Sequence, residues 1–221
     1  MKKILSILFA VLLMNTAAFA DGMTVDDNAA LPEFDLESIT KNNPFTDVKE
    51  SDWFYSGVNF AYKNGIMSGT DEGVFSPYES LTRAMMITML YRKDGSPAGA
   101  AADFTDVLPG SWYEKAVGWG NEKKIVSGTG EKTFSPTDSI TREQLAVMLY
   151  NYAKATAKNL PEKGDLTAFA DYSDVSEWAA EAMGYIVGAG IIGGSENNSL
   201  LPKNTATRAE AAVMLSRFFS E

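Results

Sequence analysis

Three Thr-Arg pairs, Thr82-Arg83, Thr141-Arg142 and Thr207-Arg208, each stand directly ahead of an apolar run. A threonine at the mouth of a helix accepts a hydrogen bond from a backbone N–H one turn in. The arginine beside it offers a planar fork of donors matched to a carboxylate or a phosphate. Residues suited to sugar recognition recur around them: Trp53 and Trp112 as stacking faces, Asp47 and Asp106 as acceptors for hydroxyl groups, and the small loops Ser68-Gly69-Thr70 and Ser127-Gly128-Thr129. Each has a plainer reading beside it. A tryptophan at the start of an amphipathic helix packs, an aspartate ahead of a helix caps it, and Ser-Gly-Thr makes a turn. Residue type alone leaves both open.

Composition removes most other chemistry. The 221-residue chain has no His and no Cys. Ser-His-Asp catalysis, a thiolate nucleophile, the usual His- or Cys-based metal sites and disulfides are therefore excluded. With 19 Lys plus Arg against 29 Asp plus Glu, the net charge is −10, so nucleic acid and anionic lipid are not expected partners. Asp71-Glu72-Gly73 lacks the spaced ligands of a calcium loop and the second copy loses it, so neither metal nor cofactor is expected. The catalytic alternative is a hydrolase with two carboxylates about 5–10 Å apart in different environments. Such asymmetry is hard to place in a repeat.

The elements that position these residues come from a triplicated pattern. Superposing Trp53, Trp112 and Trp178 brings together Gly69, Gly128 and Gly194, then Pro77, Pro136 and Pro202, the three Thr-Arg pairs, and Met89-Leu90, Met148-Leu149 and Met214-Leu215, without a gap. The repeats span 45–93, 104–154 and 169–221, and length varies only in the joins. Ahead of them, Met1-Lys2-Lys3, an apolar run from Ile4 to Met14 and Ala18-Phe19-Ala20 read as a signal peptide over 1–20. No other segment is apolar enough to span a bilayer, so no membrane insertion is expected after cleavage. Residues 21–44 read as an acidic flexible leader.

Each repeat opens with an acidic turn. A first helix follows, from about Trp53 to Asn64, Trp112 to Lys123 and Trp178 to Ala189, with Phe54, Val58 and Ala61 at the spacing of one face. Gly65 and Gly190 stop that helix in the left-handed conformation. The middle copy has Lys124 there, and its helix end is expected to be less well capped. A tight loop or minimal hairpin leads to a second helix, apolar nearly all round and hence buried on most sides. The fold class expected is mainly α: three helix-loop-helix repeats in a pseudo-three-fold arrangement around a central three-helix bundle.

Thr82, Thr141 and Thr207 are natural N-caps, and Gln144 and Glu210 complete capping boxes that Met85 cannot. The arginines lack such an explanation, because a cation in the first turn opposes the helix dipole at a cost of roughly 0.3–1 kcal/mol. Either each pairs with a carboxylate such as Asp47, Asp106 or Asp171, or each joins the unsatisfied N–H groups of its helix in facing an anionic ligand. On the second reading, replacing Arg83 and Arg142 by Ala abolishes binding of that ligand and leaves helical content unchanged.

The triple pattern of Phe-x-Asp, Trp, Gly, Phe-Ser-Pro and Thr-Arg resembles the S-layer homology (SLH) module over residues 45–221. The resemblance implies an exported bacterial envelope protein of the cell wall or S-layer. It implies a non-catalytic anchor that holds an anionic secondary cell wall polymer, often one bearing pyruvylated N-acetylmannosamine, in grooves between repeats. It places Arg83, Arg142 and Arg208 in three grooves, facing the ketal carboxylate. Against the family's Ile-Thr-Arg-Ala-Glu opening, Met85 lacks the acid, Glu143-Gln144 shifts it, and only Thr207-Arg-Ala-Glu210 is close to complete. Copy three in turn has Gly193-Gly194-Ser195 and Leu200 where the others have Ser-Gly-Thr and Phe. Peptidoglycan is the alternative polymer, and other envelope proteins are further candidate partners. With no appended enzyme, the chain reads as a stand-alone module.

Overall fold

The computed structural model describes residues 43–98, 101–195 and 197–220. The expected signal peptide and nearly all of the leader lie outside the described residues. Among the described residues six α-helices form: α1 Tyr55–Lys63, α2 Arg83–Lys93, α3 Glu114–Glu122, α4 Arg142–Ala155, α5 Glu177–Gly188 and α6 Arg208–Phe219. Two 3-10 turns, Leu166–Ala168 and Tyr172–Asp174, precede α5. Among the described residues, extended pairing is limited to isolated bridges, so the chain is mainly α.

The second helices bury most of their apolar residues. In α2, Ala84, Met86, Ile87, Thr88, Met89 and Leu90 are all buried, and α4 and α6 repeat the pattern. What covers them is not their own partner. The first helix of each repeat packs on the second helix of the repeat before it in a cycle: α3 on α2, α5 on α4 and α1 on α6. No repeat is complete alone, as expected of units of about 50 residues that bury too little surface by themselves.

At the N-terminal ends of α2, α4 and α6 three backbone hydrogen bonds run head to tail. Leu81 N–H donates to Ala206, Ala206 N–H to Ile140, and Ile140 N–H to Leu81, at 2.8–2.9 Å. The three side chains are fully buried. The orphan donors of each helix are then taken up by the next repeat. Arg83 and Ala84 N–H donate to Asp138 and Pro136, Arg142 and Glu143 to Asn204 and Pro202, and Arg208 and Ala209 to Glu79 and Pro77. Side chains add further ties, among them that of buried Glu143, which accepts from Ser176 N–H (2.9 Å), at the start of α5, and from Lys203 Nζ (2.7 Å).

Two local expectations change. The first helices of repeats one and two begin two residues after the tryptophans, because the preceding residues form tight turns such as Tyr55 N–H to Asp52 C=O. The middle copy's helix end is closed by the same geometry as the others: Lys124 adopts φ +58°, beside +66° at Gly65 and +67° at Gly190. The bond from the following residue back into the helix forms in all three, Ile66 to Ala61, Ile125 to Gly120 and Ile191 to Ile186. The deficit is thus strain rather than a missing cap, about 1 kcal/mol for a side chain held left-handed. Lys124→Gly is expected to raise the unfolding free energy by about 0.5–1 kcal/mol, read from urea denaturation.

Candidate functional site

All three caps form as the spacing predicts. Thr82, Thr141 and Thr207 hydroxyls accept from the N–H of Met85, Gln144 and Glu210, and the last two complete capping boxes. Helical residue one is then an arginine whose side chain is buried in each case.

The arginines do not share a socket with unsatisfied helix N–H groups. Those donors are bonded to carbonyls of the neighbouring repeat. Nor do the arginines pair with Asp47, Asp106 or Asp171. Asp47 accepts from Phe75 and Ser76 N–H at 2.8 Å. Asp106 accepts from Phe134 and Ser135, and Asp171 from Leu200 and Leu201. Ser76, Ser135 and Leu201 are left-handed, at φ +56°, +56° and +53°, each directly before a proline. The carboxylates clamp this strained turn. The helix-capping alternative for Asp47 and Asp106 is likewise not realised, since neither α1 nor α3 has a side-chain N-cap bond.

Arg83 and Arg208 share one environment. Arg83 Nε donates to Phe134 C=O (2.8 Å) and Nη2 to Ser127 C=O (3.2 Å), with Cζ 4.7 Å from the centre of the Phe134 ring. Arg208 donates from Nε to Phe75 C=O (2.9 Å) and from Nη2 to Ser68 C=O (2.8 Å), with Cζ 4.6 Å from the Phe75 ring. Among the described residues, neither Nη1 has a hydrogen-bond partner and neither guanidinium has an ion pair. Burial pulls both below the ordinary arginine pKa, opposed at a distance by Asp138 and Asp106 for Arg83 and by Glu79 and Asp47 for Arg208. Both stay charged.

Arg142 differs. Leu200 stands where the others have Phe, and Arg142 Nη1 pairs with Glu210 Oε1 at 2.8 Å while Nε donates to Leu200 C=O. The same Glu210 completes the α6 capping box through its other oxygen. At that helix position repeat two has Gln144 and repeat one Met85, so only the Arg142 corner is neutralised from within. The corresponding wall is also tight. A Cβ on Gly57 of α1 would lie 2.8 Å from Val213 Cα of α6, so these helices are in backbone contact where repeats two and three have Ala116 and Ala182 instead of glycine.

Clefts open beside the two unpaired arginines, and each draws on all three repeats. A cleft of about 500 Å³ is lined by Arg83 of repeat one, Ser127, Gly128, Thr129, Gln144 and Val147 of repeat two, and Trp178 of repeat three. A second, of about 320 Å³, is lined by Arg208 of repeat three, Ser68, Gly69, Thr70, Met85, Thr88 and Arg92 of repeat one, and Trp112 of repeat two. Neither lining contains an Asp or Glu, although the chain is acidic. The tryptophans are not packing anchors: Trp53, Trp112 and Trp178 are 60–61% exposed, and the buried tryptophan is Trp119. Trp53 lines neither cleft. Trp178, Gln144 and Arg92 join the candidates, and only Trp178 had a sequence signal, its register with the other two.

Within the loops, Gly69 and Gly128 answer to their own backbone. A Cβ there would meet Val74 or Thr133 C=O at 2.5 Å. Thr70 and Thr129 hydroxyls bond to those of Ser76 and Ser135 at 2.7 and 2.8 Å. Ser68 and Ser127 give their carbonyls to the arginines and leave exposed hydroxyls at the cleft. Among the described residues, no cluster of three or more acidic side chains could hold a metal ion, and no helix is long and apolar enough to cross a membrane.

Comparison with known proteins agrees with this architecture. The chain is 33% identical to a surface-layer 125 kDa protein of Lysinibacillus sphaericus, over 82% of this chain and 15% of that protein. It is 30% identical to the exoglucanase XynX of Acetivibrio thermocellus, over 80% and 16%, and 28% identical to an S-layer protein of Bacillus licheniformis, over 78% and 19%. The chain thus spans about a fifth or less of these relatives' length. The S-layer homology domain profile matches residues 44–85, 103–146 and 168–212, and with three copies covering more than half of the sequence, the chain belongs to the S-layer homology domain family.

Proposed function

We propose that this chain anchors non-covalently to a bacterial cell wall by binding an anionic secondary cell wall polymer, one bearing a carboxylate such as a pyruvate ketal, in the clefts of Arg83 and Arg208. S-layer homology domains are cell-wall-anchoring, non-catalytic modules of S-layer proteins and cell-surface enzymes. The observation that supports the finer reading is a buried guanidinium with no acid of its own, at the base of a cleft free of carboxylates and flanked by an exposed tryptophan. An arginine held by two carbonyls and an aromatic face keeps its geometry but not a counter-charge, and a ligand carboxylate supplies one. The indole gives the apolar face of a sugar ring a surface to stack on. Arg142 already has its counter-charge in Glu210, so two clefts do most of the binding.

Co-sedimentation with purified walls tests this. The protein is expected to pellet with intact walls and to stay in solution with walls stripped of secondary polymer. Trp112→Ala with Trp178→Ala, both exposed and hence tolerated by the fold, is expected to weaken wall binding at least tenfold. Undiminished binding to stripped walls would identify peptidoglycan as the polymer, and an unaffected double variant would remove the clefts from the mechanism.

A further inference from the structure

We infer that the two clefts are not equivalent: that of Arg208 recognises a second anionic group, carboxylate or phosphate, on the sugar adjoining the one that meets Arg208, and Arg92 is the residue that reads it. This rests on the clefts being glycan sites.

Arg92 lies in the last turn of α2 and lines the Arg208 cleft. Its counterparts are Asn151 in repeat two and Arg217 in repeat three. Both are turned to a structural task. Asn151 Nδ2 donates to Ile125 C=O and Arg217 Nη1 to Ile191 C=O, each at 3.2 Å, tying the helix to the start of the loop. Arg92 makes no such bond. It is exposed, and among the described residues its guanidinium has neither a hydrogen bond nor an ion pair.

The Arg208 cleft therefore holds two cations, one fixed and buried and one exposed, with no acid in its lining. The Arg83 cleft holds one, and presents the neutral amide of Gln144 where the other has Met85. A fork with no protein partner, beside a cleft already charged for one anion, matches a ligand whose charges recur from sugar to sugar. A singly charged residue fills either cleft. Only a doubly charged stretch uses both guanidiniums.

Calorimetric titration of the full chain carrying Trp178→Ala, which weakens the Arg83 cleft, separates the possibilities. The probes are the methyl glycoside of 4,6-pyruvylated N-acetylmannosamine and three disaccharides of it, whose second sugar is neutral, carboxylated or phosphorylated. A charged second sugar is expected to bind about fivefold tighter than the neutral one at low salt, the gap narrowing as ionic strength rises. Arg92→Gln is expected to abolish that preference. Preference for only one of the two charged probes names the anion. Equal binding of all three disaccharides, or a preference that survives Arg92→Gln, would overturn the inference while the parent reading stands. Failure of the wild-type chain to bind the monosaccharide or any disaccharide would overturn both.

Discussion

Replacing Arg83 by Ala is expected to lower the unfolding free energy by about 2–4 kcal/mol, before any question of ligand arises. The Nε and Nη2 groups of Arg83 hold the carbonyls of Phe134 and Ser127. Those residues belong to repeat two, and the arginine belongs to repeat one. Truncation leaves buried Phe134 C=O without that donor, removes the cation from the Phe134 ring face, and empties the volume of a long side chain that is 5% exposed. Each loss falls where one repeat meets the next. Unfolding should be cooperative, so thermal melts followed by far-UV circular dichroism and by tryptophan fluorescence should shift down together. The expectation that Arg83→Ala and Arg142→Ala leave helical content unchanged is therefore withdrawn: these arginines are keystones as well as candidate ligands. A variant at native stability would mean that the guanidinium is not needed to join the repeats.

This dual role also marks where the sequence stops being informative. Helix positions, capping boxes and the burial of the second helices follow from local spacing, because the hydroxyl of Thr82 and the N–H of Met85 are neighbours in the chain. The cyclic exchange of first helices does not follow from spacing. Nothing in the local pattern distinguishes α3 lying on α4 from α3 lying on α2, since both faces are apolar. Assigning each arginine to a loop 44 to 140 residues away needs that exchange first. The helix N-termini misled for the same reason. Their donors have no partner within the helix, and their acceptors, such as Asp138 and Glu79 carbonyls, come from the neighbouring repeat. Asp47 shows the converse. Its type suggested a cap or a sugar ligand, but its partners are the amides of Phe75 and Ser76, brought close by a left-handed residue before proline that sequence gives little reason to expect.

Gln144→Glu separates folding from binding more cleanly than removal of an arginine. Gln144 already accepts from Thr141 N–H in a capping box and lines the Arg83 cleft. Its counterpart Glu210 both caps α6 and neutralises Arg142. A glutamate at 144 is nearly isosteric. It strengthens the cap with a charge at the positive end of α4, worth about 0.3–1 kcal/mol, and gives Arg83 the counter-ion it lacks. Stability should therefore hold or rise slightly in urea titration. Binding should move the other way, because a carboxylate ligand entering that cleft meets an occupied guanidinium and a like charge. The loss of one charge-assisted contact, about 2–3 kcal/mol, corresponds to at least thirtyfold weaker binding of a pyruvylated monosaccharide at that cleft. The Arg208 cleft should be untouched, leaving calorimetry with one strong site in place of two. Unchanged affinity at both clefts would show that the unpaired charge of Arg83 is not what holds the ligand. Weakened binding with weakened folding would show only a damaged cap. The expected result, a protein at least as stable that binds one equivalent fewer, is available to no mechanism in which these arginines serve the fold alone.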